Sequence, residues 1–287
     1  MTICRKNMVG NLYLVATPIG NMEDMTFRAV RILKEADLIA AEDTRTSRKL
    51  LDHFDIRTEL TSYHEFNKIE KARMLLDRMH EGQTVAVITD AGTPGISDPG
   101  EELCKMCYEE GIQVYAIPGP AAVITAVTSS GQKCRRFAFE AFLPKDKKEH
   151  ARVMEEMKRE TRTMIVYEAP HHLRKTLAEL CKELGENREV TICRELTKKF
   201  EEKLMMTLKQ AVDYYEGTDP RGEYVLVIAG KSKEESLAEQ KAMYENISLE
   251  EHMEQYLSQG MDRKEAMKAV AKDRGITKRE VYKQLLE

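Results

Sequence analysis

Residues 84–100 read TVAVITDAGTPGISDPG, a short apolar run followed by a loop that holds three glycines, two prolines and two aspartates. The run VAVI has the length and the β-branched content of a buried strand, and the glycines and prolines after it end the strand abruptly. In an open α/β sheet, the loops at the carboxyl ends of the strands line the ligand crevice. This stretch therefore predicts both a fold class and the place of a binding site.

The same alternation of a short apolar run and a longer helical pattern continues on both sides of this stretch. It predicts βαβ units and a mostly parallel sheet with both faces covered by helices. The first strand-like runs are NLYLVAT (11–17), DLIAAE (37–42), TELTSY (58–63), TVAVIT (84–89) and IQVYAIP (112–118), with helices expected near 26–36, 45–53, 67–80 and 99–110. After a helical segment at 120–130, the runs RFAFEAF, TMIVYEA, EVTICREL and EYVLVIAG predict a second α/β half.

The chain changes character again near residue 231, where charged residues replace the strand-like runs. We predict α/β domains at 10–119 and 120–231, a linker at 232–246 and a helical extension at 247–287. Capping-box spacings at 262–265 and 277–280 predict helices that start near 263 and 278, with Gly275 in the turn between them. The extension is therefore expected to resemble a helix-turn-helix.

The extension is basic, whereas the whole chain is not. Residues 260–287 hold eight Lys or Arg against five Asp or Glu, in a chain with a net charge of −4. A nucleic-acid contact must therefore come from a local patch, and Lys278 and Arg279 are candidates for it. The alternative is a solvated helical hairpin that only docks or dimerises.

Composition excludes several classes of protein. No apolar run approaches the roughly 18 residues that cross a bilayer, and no convincing secretory signal is present, so we predict no membrane partner and a cytoplasmic location. The six cysteines are scattered through the chain, which fits a reducing compartment. Cys104 and Cys107 lie within a helical pattern, and no second pair completes a zinc site, so we predict no metal.

Five further segments end a strand-like run in turn residues and functional groups, as the opening stretch does. They are Ala16–Asn21, Ala41–Arg45, Ile117–Ala122, Tyr167–His172 and Cys193–Lys198. Because the carboxyl ends of parallel strands meet at one edge of a sheet, we expect all six loops to converge on one site.

Charge and missing motifs narrow the ligand of this site. No G-x-G-x-x-G follows a strand and no G-x-x-x-x-G-K-[ST] occurs, so nothing indicates the backbone nests that hold the pyrophosphate of NAD or ATP. Asp90 and Asp98 would repel phosphate, but they suit hydroxyls, an amine or a sulfonium, which S-adenosylmethionine combines. Asp98, directly before Pro99, is equally typical of a helix N-cap.

An ordered set of motifs then points to a family. The motifs are LYLVATPIGN, IAAEDTRTS, YHEFN, TDAGTPGISDPG, IPGPAA, FLPK, YEAPHH, CRELTKKFEE and GEYVLVI. In this order the chain resembles the ribosomal small-subunit methyltransferase I family of the tetrapyrrole methylase superfamily, whose C-terminal helix-turn-helix the extension also resembles. The resemblance implies a homodimer that uses S-adenosylmethionine to methylate the ribose 2′-hydroxyl of a cytidine in the decoding region of 16S rRNA.

The resemblance also implies a cofactor in the cleft between the two α/β domains, held mostly by backbone. By position, the implied contacts are Thr17, Pro18, Gly92, Thr93, Gly95, Ile96, Ala121, Ala122, Tyr167, Pro170 and Ala229. At one position the chain departs from the expected Pro-His-Arg-Leu, because it has His172 in place of the arginine. A neutral histidine lacks the permanent charge and the fork of arginine, so the role of this position is open.

Several charged residues follow strands that face the expected cleft. Arg45, Lys145, Arg194 and Lys198 could hold RNA phosphates, and His64, in the YHEFN loop, either contacts the RNA ribose or is structural. A ribose hydroxyl is a poor nucleophile, so a carboxylate or a lysine of lowered pKa could take its proton. The candidates for this role are Glu42, Asp43, Asp98, Glu168, Glu195 and Lys198, and the sequence does not choose among them.

Other functions compete with this interpretation. A superfamily relative that methylates a tetrapyrrole or a protein side chain is the nearest alternative, and the basic extension and the EDTR and RELTK segments argue against it. A non-catalytic RNA-binding module would fail to bind the cofactor. The substrate itself could be free 16S rRNA, a precursor or the assembled 30S subunit.

Overall fold

The first half of the chain is built on a parallel sheet. The computed structural model describes residues 9–97, 100–232, 234–235, 244 and 247–285. The strands of this sheet are β1 (Asn11–Val15), β2 (Leu38–Ala41), β3 (Glu59–Ser62), β4 (Val85–Ile88) and β5 (Gln113–Ile117). They lie in the order β3-β2-β4-β1-β5, and neighbouring strands are parallel throughout. The opening stretch therefore contains β4, the central strand, and the loop that follows it.

Helices cover both faces of this first sheet, as predicted. They are α1 (Phe27–Glu35), α2 (Thr44–His53), α3 (Lys68–His80) and α4 (Glu101–Glu109), with a 3-10 turn at Met22–Asp24. Along β2, Leu38 packs in the apolar cluster with α3 and α4, and Ile39 packs in the cluster with α1 and α2. This alternation is the consequence of strand geometry, which directs successive side chains to opposite faces.

The second half of the chain forms another five-stranded sheet. Its strands are β6 (Phe137–Phe142), β7 (Thr163–Glu168), β8 (Glu189–Arg194), β9 (Glu202–Thr207) and β10 (Tyr224–Ile228), in the order β6-β7-β10-β8-β9. The accompanying helices are α5 (Ala122–Ser129), α6 (Lys147–Arg159), α7 (Pro170–Leu184) and α8 (Leu208–Gly217). One face packs against α6, α7 and α8, and the other packs against α5 and Ile19 of the first half.

The prediction of a mostly parallel sheet is wrong for this second half. β6 and β7 are parallel, but β10 runs antiparallel to β7 and to β8, and β8 is antiparallel to β9. Residues 195–201 join β8 to β9 directly, and a connection without a helix allows an antiparallel neighbour. β9 itself was not predicted, because its sequence EKLMMT has few β-branched or aromatic residues.

The C-terminal extension is a bundle of three helices, α9 (Leu249–Ser258), α10 (Arg263–Arg274) and α11 (Lys278–Gln284). The predicted starts near 263 and 278 are confirmed: Asp262 caps α10, Thr277 and Glu280 form a capping box, and Gly275 ends α10 at φ +61°. The predicted linker at 232–246 lies largely outside the described residues. Over the described ranges, no helix combines the length and the apolar character that a membrane crossing needs.

Candidate functional site

A cavity of about 470 Å³ lies between the two sheets, and both halves of the chain line it. The first half contributes Ile19, Ala91, Gly92, Thr93, Ile96 and Ser97; the second contributes Ala121, Ala122, Val123, Phe142, Tyr167, Glu168, Ala169, Pro170, Leu196, Glu223, Tyr224 and Val225. A volume of roughly 300–1,000 Å³ is typical of cofactor sites. Among the described residues, no group of His, Cys, Asp and Glu could hold a metal ion.

The loops after β1 and β4 are joined at the cavity by a two-way backbone contact. The N–H of Thr17 donates to the carbonyl of Gly92 at 2.8 Å, and the N–H of Gly92 donates to the carbonyl of Thr17 at 3.0 Å. The buried hydroxyl of Thr17 also donates to the carbonyl of Thr89 at 3.1 Å. Gly92 adopts φ +86°, a conformation that favours glycine. These contacts fix the cavity wall through its backbone.

The loop after β5 packs against the same wall. The hydroxyl of Thr93 donates to the carbonyl of Pro120 at 3.0 Å. A Cβ atom on Gly119 would come within 2.8 Å of the Cβ atom of Ala16, so the backbone of Gly119 packs directly against the Ala16 side chain. The loops after β1, β4 and β5 therefore form one rigid surface of small residues.

Tyr167 connects the second sheet to this surface. Its hydroxyl accepts a hydrogen bond from the N–H of Val123 at 3.0 Å, in the first turn of α5. Its ring meets Phe139 and Phe142 edge-on, with centroid distances of 4.9 and 5.7 Å. Tyr167 thus holds a helix start and a cavity wall in place together.

Glu168, a catalytic candidate at the end of β7, has structural partners. It is buried, and its carboxylate accepts hydrogen bonds from the N–H of Ala169 at 2.7 Å and from the hydroxyl of Thr176. These bonds tie β7 to the first turns of α7.

Most residues predicted to contact the cofactor are brought together at the cavity. Gly92, Thr93, Ile96, Ala121, Ala122, Tyr167 and Pro170 line it. Thr17 and Pro18 lie directly behind this lining, and Gly95 is the left-handed residue, at φ +80°, of the turn between Thr93 and Ile96. The predicted loops therefore converge, and cofactor contact through these residues stays a prediction.

Ala229 is not among the residues that line the cavity, and its contact with the cofactor stays a prediction. Because β10 runs antiparallel to β7, its first residue Tyr224 pairs with Glu168, beside the cavity. Ala229 follows the far end of β10, where its N–H donates to the carbonyl of Glu189 at 2.9 Å. Ala229 was implied by the position of its motif in the family resemblance, whereas Glu223, Tyr224 and Val225 are the residues of this segment that line the cavity.

Other lining residues were missed although their motifs had been noticed. Phe142 belongs to the FLPK motif and Leu196 to RELTK, and both lie in or directly after a strand that ends at the cavity. Ile19, Ala91, Ser97 and Val123 are immediate neighbours of predicted contacts. All of these residues lie at the end of a predicted strand or in the loop or turn after it, and this location could have identified them from the sequence.

The loop between β8 and β9 contains strained backbone and is held by hydrogen bonds and an ion pair. Glu195 and Thr197 adopt φ values of +52° and +66°, which are uncommon for residues with a side chain. The carboxylate of Glu195 accepts hydrogen bonds from the Nζ of Lys198 at 2.9 Å and from the N–H of Glu223 at 2.9 Å. Two catalytic candidates, Glu195 and Lys198, are therefore an ion pair at the cavity rim.

Lys198 spans the two halves of the chain. Its Nζ lies 2.9 Å from the carboxylate of Glu223, and its stem packs on Gly20, where a Cβ atom would come within 2.4 Å of the Lys198 Cγ. Burial lowers the pKa of Lys198, but the two carboxylates outweigh it and raise the pKa above its ordinary value. The structure thus contradicts the expectation of a lysine with lowered pKa at this position.

The acidic residues after β2 and β4 form a hydrogen-bonded set. The hydroxyl of Thr89 donates to the carboxylate of Glu42 at 3.4 Å, and the N–H of Asp43 donates to Asp90 at 3.1 Å. The hydrogen bond from the Arg45 guanidinium holds the pKa of Asp43 below its ordinary value. The remaining candidate, Asp98, lies outside the described residues.

The predicted RNA contacts fall into two places. Arg45, whose side chain is 90% exposed, and Lys145, also exposed, follow β2 and β6 near the cavity, and Arg194 pairs with Glu202 at 3.2 Å. Lys278 and Arg279 lie on the first turn of α11, in the C-terminal bundle. RNA binding by each of these residues stays a prediction.

The two predicted histidine positions differ in setting. In the YHEFN loop, the backbone N–H of His64 donates to the Asn67 side chain at 2.8 Å, and the amide of Asn67 lies 3.3 Å from the His64 Nε2. This network favours the structural interpretation of His64. His172 is exposed on the first turn of α7, where its backbone N–H donates to the carbonyl of Ala169.

Comparison with known proteins identifies the relatives of this chain. It is 50% identical to ribosomal RNA small subunit methyltransferase I of Halalkalibacterium halodurans, over 95% of this chain and 93% of that protein. It is 43% identical to the protein of the same name from Bacillus subtilis, over 98% of this chain and 96% of the relative.

The fold has solved counterparts at much lower sequence identity. The uroporphyrin-III C-methyl transferase from Thermus thermophilus, complexed with S-adenyl homocysteine, superposes with a TM-score of 0.56 at 18% identity, covering 77% of this chain and 97% of that one. Residues 11–212 match the family described as Tetrapyrrole (Corrin/Porphyrin) Methylases. The chain is thus a member of the tetrapyrrole methylase family and belongs, within it, to the ribosomal RNA small subunit methyltransferases I.

Proposed function

We propose that this chain transfers the methyl group of S-adenosylmethionine to the ribose 2′-hydroxyl of a cytidine in the decoding region of 16S rRNA. The observation that carries the proposal is the cavity between the two sheets, whose wall is built from the strand-end loops of both halves. The choice of small-subunit rRNA as the substrate is supported by the names of the relatives. The cytidine and its 2′-hydroxyl come from the resemblance of the motifs.

The residues of the cavity fit S-adenosylmethionine. Gly92, Ala121 and Ala122 expose backbone that a ligand can approach closely. The lining includes two carboxylates, Glu223 and Glu168, which pair with Lys198 and with Thr176, and no Lys, Arg or His is among the lining residues described. This is the charge balance expected for a cation rather than for a phosphate. When bound, S-adenosylmethionine supplies a methyl group attached to a positively charged sulfur.

The contribution of the protein to the reaction is chiefly positioning. The rigid loops after β1, β4 and β5 hold the cofactor side, and cations at the cavity rim hold the RNA side. Lys198 keeps its proton, so we assign it to phosphate contact, together with Arg45 and Lys145. Holding two reactants in a reactive geometry accounts for a large part of the acceleration in such displacements.

The ribose hydroxyl must also lose its proton. Glu195 is engaged by Lys198 and by the backbone of Glu223, and its pKa is lowered: burial raises it, but these hydrogen bonds dominate. A carboxylate held in this way is a weak proton acceptor. Glu42 is half-buried after β2, accepts a long hydrogen bond from the hydroxyl of Thr89, and is our candidate for that role among the described residues.

We further propose a homodimer that works in the cytoplasm, where small ribosomal subunits are its substrate. The homodimer is what the resemblance of the motifs implies, and the almost fully exposed Phe27 and Phe66 are positions at which its contact surface can be sought. The alternative substrates, a tetrapyrrole or a protein side chain, lack support from the close relatives. A non-catalytic RNA-binding module has no use for a cavity of this charge and size.

The test is transfer of tritiated methyl from S-adenosylmethionine to three substrates, each prepared from cells that lack the enzyme: small subunits, free 16S rRNA and large subunits. We expect label in 16S rRNA and none in the large subunit. The ratio between assembled subunits and free rRNA identifies the natural substrate. Absence of label from both forms of 16S rRNA, by an enzyme that binds the cofactor in calorimetry, would contradict the proposal.

A further inference from the structure

Phe200 is an exposed aromatic residue on the loop that borders the cavity. Its side chain is 69% exposed, although a phenylalanine ring gains most when it is removed from water. The same loop contributes Leu196 to the cavity lining, four residues earlier in the sequence. An exposed ring therefore stands beside the candidate active site.

The loop that carries Phe200 is held in one conformation. Besides the strained backbone at Glu195 and Thr197, the N–H of Thr197 donates to the carboxylate of Glu201 at 2.6 Å. The N–H of Glu201 donates to the carbonyl of Lys198 at 3.1 Å. Strained residues of this kind persist where the surrounding structure fixes them, commonly at functional sites. The exposure of Phe200 is thus a property of a well-fixed loop.

Charge on the loop favours a negatively charged partner. Its carboxylates have cationic partners: Glu195 pairs with Lys198, Glu201 with Lys203, and Glu202 with Arg194. Lys199 makes no ion pair among the described residues, and its Nζ lies 5.6 Å from the centre of the Phe200 ring. Because the Lys199 Nζ lies over one face of the Phe200 ring, the loop presents the other face of the ring together with one available positive charge.

An aromatic ring next to a cation matches the chemistry of an unpaired nucleotide. Bases that leave a helix stack on exposed aromatic side chains, and the adjoining phosphate meets a lysine or arginine. A ribose hydroxyl in a decoding-region RNA reaches a cavity only if its nucleotide is drawn out of the surrounding structure. A neighbouring base then needs a surface on which to stack.

We infer that Phe200 stacks on an unpaired base of the RNA next to the target nucleotide and that Lys199 contacts the adjoining phosphate. This inference rests on the proposed function and adds to it the residue that grips the single-stranded segment. Phe200 is thus a positioning residue for the RNA and does not touch the cofactor. The competing occupant, a second copy of this chain, is separated from RNA by the test.

The test compares Phe200→Leu, which keeps an apolar side chain but lacks a ring, with Phe200→Trp, which keeps a ring. Tyr108→Leu is the matched control, because Tyr108 is 70% exposed near the end of α4, which leads to the start of β5 and away from the loops that line the cavity. The readouts are kcat/KM on small subunits, the Kd for S-adenosylmethionine and the binding of a short single-stranded RNA and of its duplex.

We expect Phe200→Leu to lower kcat/KM and single-strand affinity roughly fivefold to a hundredfold, the range found when a stacked aromatic is removed. Duplex binding and the cofactor Kd should not change, and Phe200→Trp should retain activity close to that of the wild type. Wild-type kinetics for Phe200→Leu, or equal losses for Phe200→Leu and Phe200→Trp, would overturn the inference. So would dissociation of a Phe200→Leu dimer in light scattering, because that result assigns the ring to the protein partner.

Failure of the proposed function gives a different result. In that case the wild-type enzyme methylates neither small subunits nor 16S rRNA, and all the variants are equally inactive. With an active wild type, the comparison between the leucine and tryptophan variants decides the role of Phe200 alone.

Discussion

Gly20 shows at the scale of one residue why small side chains dominate this site. It lies at φ +153° in the loop after β1, and the stem of Lys198 occupies the space that a Cβ atom would fill. The sequence predicted that this loop and the RELTK loop share a site. The contact between Gly20 and Lys198 could not be predicted, because it depends on how the two sheets meet. The charge state of Lys198 could not be predicted either, because it depends on Glu195 and Glu223, which are distant from each other in the sequence.

Lys198→Ala should lower kcat/KM on small subunits about tenfold or more, because a charge-assisted contact contributes on the order of 1.5–3 kcal/mol. The Kd for S-adenosylmethionine should stay within about twofold of the wild-type value, since none of the described residues that line the cavity is a lysine. The tritiated-methyl assay measures kcat/KM, and calorimetry measures the Kd for S-adenosylmethionine. Lys209→Ala is the control, because Lys209 forms a comparable ion pair with Asp213 on α8. Equal activity of Lys198→Ala and wild type would remove Lys198 from the mechanism.

At the scale of secondary structure, the first sheet was predictable and the direction of strands in the second was not. Helical crossovers after β1 to β4 require parallel strands, and their apolar periodicity is plain in the sequence. In the second half, the run GEYVLVI indicates a buried strand but not its direction. Because this strand runs antiparallel to β7, Glu223 at its start lies at the cavity and Ala229 lies beyond its far end. Direction depends on tertiary pairing, which the residues of a single strand do not encode.

The junction between α6 and β7 gives a pH-dependent prediction at this scale. The guanidinium of Arg162 donates to both oxygens of Glu160, at 3.0 and 2.5 Å, and this lowers the pKa of Glu160 to about 2. A lowered carboxylate pKa stabilises the folded state above the unfolded-state pKa of about 4.3. That stability is lost as the pH falls from there towards 2.

Glu160→Gln should therefore lower the free energy of unfolding at pH 7 by about 1 kcal/mol and leave a smaller difference from wild type at pH 3. Urea denaturation at the two pH values measures this. Glu155→Gln, at an exposed ion pair with Arg159, is the control and should have a smaller effect. A difference between wild type and Glu160→Gln that grows as the pH falls would contradict the assignment.

At the scale of the whole molecule, binding of cofactor and binding of RNA are expected to use different parts of the chain. The cavity draws its lining from the two sheets, and α9, α10 and α11 have an apolar core of their own. The basic character of the extension and the helix starts at Arg263 and Lys278 were predictable from charge and capping residues. The place at which this helical bundle would contact RNA could not be predicted, because the sequence does not fix the position of the bundle relative to the cavity.

Truncation after about residue 240 should weaken RNA binding while the cofactor Kd stays unchanged. The slope of log affinity against log salt should also become shallower, because fewer phosphates are neutralised. The double variant Lys278→Ala with Arg279→Ala separates contact from docking: it keeps the bundle and removes two charges. An unchanged salt slope for this variant would assign the bundle to docking, and a loss of cofactor affinity on truncation would contradict the division of labour.

The central claim is that the chain methylates one ribose in the decoding region of 16S rRNA. Mass mapping of 16S rRNA from a strain that lacks the gene, compared with its parent, tests this claim most directly. We predict that one cytidine of the decoding region loses a ribose methyl group and regains it when the wild-type gene is restored. Identical methylation of that region in the two strains, or a missing methyl group on a base in place of a ribose, would contradict the account.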